Sequence, residues 1–223
     1  MSKPRISVNK LGEYLTATPS RRKRIIEDQQ QPKTFIAARY SDAREEIVEY
    51  LSTGMNDDSK ILSAATELRI PNGGSEFVEQ DRQASASAIE DFLEASGDLD
   101  LKGLVVESGE STSSNTMEVA GVDISMRPDA VLKDPESGQV VGCVKLHFPK
   151  TTPLTPQAAE YVATAMRVYL ESAEENSAID HSKCYVIDVP TQRVVSAPKA
   201  FKRKMKDIEA ACEEIDARWK NKG

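Results

Sequence analysis

The stretch EVAGVDISMRPDAVLKDPESGQVVGCVKLHF, running from Glu118 to Phe148, decides how this chain is read. Two runs rich in β-branched residues flank Lys133-Asp134-Pro135-Glu136-Ser137-Gly138, a composition that makes turns. The pattern predicts a long strand over 118–132 and a returning hairpin arm over 139–148. Alternate residues of a strand face opposite sides. In the first arm Val122, Ile124, Met126 and Pro128 share one side, and Asp123, Ser125, Arg127 and Asp129 share the other. In the second arm Val140, Gly142, Val144, Leu146 and Phe148 oppose Val141, Cys143, Lys145 and His147. If the apolar sides share a core, Asp123, Arg127 and Asp129 join Cys143, Lys145 and His147 on the other face. A carboxylate and an ammonium on neighbouring strands can hold a metal ion and orient a water.

Upstream of this hairpin the apolar period is helical. Val8, Leu11 and Leu15 mark a first short helix, and Thr18-Pro19 opens a second that carries Arg21-Arg22-Lys23-Arg24 in its first half. Positive charge there opposes the helix dipole, which an anionic partner would offset. Further helices are expected over 41–51, 60–68 and 81–94, with Pro71-Asn72-Gly73-Gly74 as the strongest turn signal. After Gly97 the period falls to 2, with a short strand around Leu104-Val105-Val106 and a polar loop from Gly109 to Thr116. Downstream, Thr155-Pro156 opens a helix to about Ser172. A second hairpin pairs 184–189 with 193–196, and Pro198 leads a final helix. In that helix Phe201, Met205, Ile208, Cys212, Ile215 and Trp219 form a heptad-like stripe. It reads as packing on the chain's own sheet or as a seam with a second copy.

Composition narrows the function classes. In 223 residues, 39% are hydrophobic, and no apolar run approaches the roughly 18 residues a membrane helix needs, so no membrane role is expected. The first residues show no secretory pattern. Three widely spaced cysteines, Cys143, Cys184 and Cys212, make no disulfide framework or zinc motif and suggest a reducing, cytoplasmic setting. Phosphate-binding loops, dinucleotide fingerprints and nucleophile elbows do not occur. Net charge is −7, but it is unevenly placed: residues 1–24 carry +6 and residues 199–223 carry +3 around an acidic middle. A polyanion responds to such local charge rather than to the total, although basic ends also serve as plain solvated surface.

The arrangement Arg127-Pro128-Asp129, a hairpin turn, then Cys143-Val144-Lys145 resembles the PD-(D/E)XK nuclease superfamily, in particular its phage-exonuclease-like branch. That pattern is Pro-Asp, a variable segment, then Asp or Glu, any residue, and Lys. The order of elements over 81–189, about half the chain, is similar too: helix, strand, motif hairpin, helix, strand. The resemblance implies a restriction-endonuclease-like sheet, DNA as partner, and Mg²⁺ held by Asp129 and a second acid, with Lys145 stabilising the developing charge. It also implies a place near the metal-bound water for Gln157, in the first turn of the following helix, where a solvated helix start is the alternative.

Cys143 departs from the pattern, because it stands where the second carboxylate belongs. A neutral thiol is a poor ligand for a hard ion. The ligand role would then pass to Glu107 or to Glu90, the latter on the helix before the sheet, where the family often places an additional acid. Asp123 lies about 20 Å from Asp129 along an extended strand and ranks below them. Cys143 itself reads as a small buried hydrophobe. His147 reads as a surface or edge residue within reach of phosphate. Lys145, set in an apolar run, must point to a wet cleft or pair with Asp129.

These readings combine into an α/β fold with a central mixed sheet and helices on both faces. Residues 1–75 are expected as a helical N-terminal extension and residues 76–223 as the core with its long last helix. Two functions remain open. One is a PD-(D/E)XK-like protein that acts on DNA, with Mg²⁺-dependent phosphodiester cleavage. The other is a catalytically inactive nuclease-fold module that binds DNA, a protein partner or a second copy of itself. In either, Arg21, Arg22, Lys23, Arg24, Lys150, Lys202 and Arg203 are the expected backbone contacts.

Overall fold

The computed structural model describes residues 3–31, 39–109, 115–174 and 177–220. The chain runs β1 (Arg5–Ser7), α1 (Val8–Thr16), α2 (Pro19–Gln30), α3 (Ser41–Ser52), α4 (Asp58–Arg69) and α5 (Glu76–Ser96). It continues through β2 (Val105–Ser108), β3 (Thr116–Val119), β4 (Val122–Ser125), β5 (Ala130–Lys133) and β6 (Val140–His147). Then come α6 (Pro156–Ala173), β7 (Cys184–Asp188), β8 (Arg193–Ser196) and α7 (Lys202–Lys220). The helix starts follow local chemistry. Ser7, Ser75 and Thr155 each accept a backbone N–H at the N-cap of α1, α5 and α6.

The single strand expected over 118–132 is three pieces. Ala120 and Gly121 both take positive φ, 47° and 80°, the geometry that closes a two-residue hairpin. The chain therefore reverses inside a run that alternation alone reads as continuous. β3 and β4 pair with each other, and β4 also pairs in parallel with β1, giving a small sheet of order β1-β4-β3. Residues 110–114 of the expected polar loop lie outside the described residues.

The second sheet has the order β2-β5-β6-β7-β8. Its first three strands are antiparallel, β7 is parallel to β6 through the α6 crossover, and β8 returns antiparallel. The expected motif hairpin is thus β5–β6, at the centre. Its register slips between Leu132, which pairs with Gly142, and Lys133, which pairs with Val140. The extra residue moves Val140 to the face of Cys143, whereas alternation puts it with Val144.

Both faces of this sheet are covered. On one, Cys143, Cys184 and Val186 join the buried residues of α1, α2, α6 and α7. On the other, Leu132, Val144, Leu146 and Ile187 join those of α3, α4 and α5. The helices before residue 75 therefore supply side chains to both cores instead of standing apart from the sheet. α1 crosses α6 closely at Gly12, where a Cβ would lie 2.8 Å from the Ala158 carbonyl oxygen and 2.6 Å from Val162. On α7, Ile208, Cys212, Ile215 and Trp219 are buried in the first core, so the stripe is used within the chain. Among the described residues no helix is long and apolar enough to cross a membrane.

Candidate functional site

Asp129 lies just before β5, one step beyond the Ala130–Val144 pair, and so stands opposite Lys145. Its N–H donates to the Val144 carbonyl at 2.9 Å, and its own carbonyl accepts from Gly109 at 3.0 Å. Gly109 is needed there, because a Cβ would fall 2.1 Å from the Pro128 carbonyl oxygen. The backbone around Asp129 is thus clamped from both sides, and its carboxylate, 3% exposed, has little freedom.

Lys145 Nζ reaches Asp129 Oδ2 at 2.9 Å and donates to the Arg127 carbonyl at 2.7 Å. The Leu146 N–H donates to the same Oδ2 at 2.7 Å. Asp129 Oδ1 is held by the Arg44 guanidinium, which α3 brings to the end of the hairpin. The guanidinium also lies over the Phe148 ring, 5.2 Å from its centre, and Tyr40 stacks on Phe148 at 5.2 Å. Tyr40 holds a left-handed conformation, φ 61°, as the N-cap of α3, with its N–H given to Asp81. One carboxylate therefore faces two cations, with the exposed Arg127 close enough to repel both.

Charge and burial shape this group. Burial, then the Arg44 and Arg127 guanidiniums, pulls the Lys145 ammonium down to about 7. Burial and Arg127 also lower Arg44. The sequence offered Lys145 a wet cleft or a pairing with Asp129, and the geometry has the pairing. Arg44 was missed. It is the one basic residue of an otherwise acidic α3, which is the only trace it leaves in the sequence.

The other expected residues stand elsewhere. Cys143 is fully buried across from Cys184. The hydrogen bond between the two, with burial, raises the Cys143 thiol well above its ordinary range. Glu107 shares the face of Cys143 through the Val131 column, but it is paired with Lys133 at 2.5 Å. Glu90 makes a two-pronged bond to Arg69 at 2.7 and 2.6 Å. Asp123 lies in the smaller sheet and pairs with Lys3. Gln157 is exposed beside Tyr161 and makes no hydrogen bond to Asp129 or Lys145 among the described residues. Hence Asp129, Glu107 and Glu90 are not gathered, and among the described residues no three His, Cys, Asp or Glu side chains are placed to share an ion.

His147, expected at a surface or edge, is 3% exposed. The parallel register sets it beside the buried Asp188, its Nε2 lies 2.8 Å from the Thr152 carbonyl, and burial lowers its pKa. Half of the first basic cluster is half-buried and engaged within the chain. Arg21 pairs with Glu13, and Arg22 holds the Tyr14 and Leu15 carbonyls and Glu214 of α7. Lys150 pairs with Asp91 at 3.5 Å. Lys23, Arg24, Lys202 and Arg203 remain exposed.

The chain matches no known protein family, no curated protein and no solved structure.

Proposed function

We propose that this chain is a PD-(D/E)XK-like module that binds the DNA backbone without cutting it. The order α5, β2, β5–β6 hairpin, α6, β7, with β3 and β4 of the smaller sheet inserted between β2 and β5, supports the nuclease-like reading, as does the Asp129–Lys145 pair across the hairpin. The observation that carries the non-catalytic part is the state of Asp129. Arg44 takes one oxygen, and Lys145 and the Leu146 N–H take the other. A divalent ion needs hard, unengaged oxygens. Cys143 offers instead a thiol that its surroundings keep protonated, and Glu107 and Glu90 are paired elsewhere. The residues present therefore do not fit Mg²⁺, and no hydrolytic step is assigned to them.

The exposed Lys23 and Arg24 of α2 and Lys202 and Arg203 of α7 supply the charge for phosphate contacts. A protein partner through the α7 stripe gains no support, because Ile208, Cys212, Ile215 and Trp219 are buried in the chain's own core and Met205 packs against it. The test is fluorescence anisotropy with duplex DNA in EDTA, alongside a cleavage assay in Mg²⁺ and in Mn²⁺. Binding is expected without cleavage, with affinity falling steeply as salt rises. Lys23→Glu with Arg24→Glu should weaken it about tenfold or more. Metal-dependent cleavage that disappears in Asp129→Ala would overturn the non-catalytic reading, and no binding at low salt would overturn the DNA reading.

A further inference from the structure

The cation cluster around Asp129 carries more positive charge than its carboxylate balances. Arg44, Arg127 and Lys145 lie within electrostatic reach of one another, and among the described residues Asp129 is the one acid bonded to any of them. The surplus is also directional. Arg44 gives one guanidinium nitrogen to Asp129 and one face to Phe148, its side chain is 40% exposed, and a guanidinium carries five N–H donors in all. Arg127 is exposed, makes no ion pair among the described residues and repels Arg44. Arg127 repels both Arg44 and Lys145, which share Asp129, and an oxyanion between them would relieve that repulsion. Guanidinium forks suit tetrahedral and planar oxyanions through paired N–H bonds. The Tyr40–Phe148 stack and the Asp129 clamp fix Arg44 beforehand, which lowers the ordering cost of binding.

We propose that Arg44, Arg127 and Lys145 form a metal-independent site for a phosphoryl oxyanion, with Arg44 as the tethered cation on Asp129. This rests on the DNA-binding reading only for where the phosphoryl group comes from. Three probes separate the sources: inorganic phosphate, a 5′-phosphorylated single-stranded oligonucleotide, and the same oligonucleotide with a 5′-hydroxyl. The measurements are calorimetric titration and the shift in melting temperature, in EDTA at constant ionic strength. Phosphate is expected to raise the melting temperature of the full chain relative to chloride. Arg127→Ala is expected to weaken phosphate binding about tenfold. It leaves the fold intact, because only the Arg127 carbonyl is used by Lys145. Arg127→Lys should restore part of the affinity. A preference for the phosphorylated oligonucleotide assigns the site to a strand end, and equal affinity for both assigns it to an internal diester. No phosphate-dependent shift, or a shift unchanged in Arg127→Ala, overturns the proposal. If duplex DNA still binds through Lys23 and Arg24 in that case, the broader reading stands alone. If phosphate binds here and duplex DNA does not bind anywhere, the site stands and the DNA reading falls.

Discussion

Replacing Asp129 by Asn removes the one anion that the described residues bring to a site of three cations, while leaving an amide oxygen for the Leu146 N–H. Arg44 is 40% exposed and can be hydrated, so its loss falls in the range of surface pairs, about 0–1 kcal/mol. Lys145, 12% exposed, decides the rest. Burial and then Arg44 bring its pKa to about 7 from 10.5. Between those values the unfolded chain holds a proton that the folded chain sheds, so lowering the pH across that window costs stability. In the wild type the loss stops near pH 7. Without Asp129 the ammonium loses the counter-ion 2.9 Å away, which lowers the folded-state pKa and extends the window to lower pH, adding up to about 1.4 kcal/mol per unit. The variant should therefore be about 1 kcal/mol less stable than wild type at pH 8, where it loses little beyond a hydrogen bond. At pH 5.5 the gap should be about 3 kcal/mol, within the range for breaking a buried ion pair. Urea unfolding of both proteins at the two pH values measures it. A gap that is the same at both values refutes the argument. So does a variant more stable than wild type at pH 5.5, which is what removing one acid from a crowded metal-ligand cluster would give.

Gly12→Val places atoms against the Ala158 carbonyl and Val162 and should cost about 1–3 kcal/mol in urea unfolding, since α1 and α6 must separate. Trp219→Ala should cost about 3–5 kcal/mol and leave the elution volume on size exclusion unchanged, because its side chain fills the chain's own core. A changed association state would contradict that placement. Because burial lowers the pKa of His147, the unfolded chain takes up its proton first as pH drops through about 6.5. Stability should fall there, and His147→Asn should flatten the fall between pH 7 and 5.5; an unaltered acid limb would place the cause in other groups.

The helices were legible because their signals are local. Val8, Leu11 and Leu15 mark α1, Thr155-Pro156 opens α6, and the α7 stripe keeps its 4, 3, 4 spacing over residues that prove buried, whereas α5, expected from 81, starts at Glu76 behind the Ser75 cap. The β5–β6 hairpin was legible for the same reason, since its turn chemistry lies between two β-branched runs. The break of 118–132 into β3, β4 and the approach to β5 was not. It depends on Ala120 taking positive φ, which alanine seldom does and which the Gly121 beside it only suggests. β1 was equally hidden, because three residues pairing with β4 from more than a hundred positions away leave no periodic trace. The slip at Leu132–Lys133 reversed the side assigned to Val140, which shows how one inserted residue defeats a period-2 argument.

For the site, the pairing of Asp129 with Lys145 follows from spacing and turn alone, whereas its chemistry does not. What separates a metal-binding hairpin from an ion-paired one is which charge meets the second oxygen of the carboxylate. That charge comes from Arg44, 85 positions before Asp129 and on a helix facing the opposite core. Cys143 pointed the same way from within the motif, since a thiol buried against Cys184 cannot replace a carboxylate. Neither observation is decisive alone. An arginine could leave a site that still had two acids, and an acid could migrate onto a site that had no arginine. Glu107 and Glu90, the nearest substitutes by sequence, each hold a cation of their own, Lys133 and Arg69. Drawing either toward Asp129 would break one ion pair while bringing its carboxylate toward another. The positive surplus at Arg44, Arg127 and Lys145 has the opposite preference, and an incoming phosphoryl group meets it without disturbing any of those pairs.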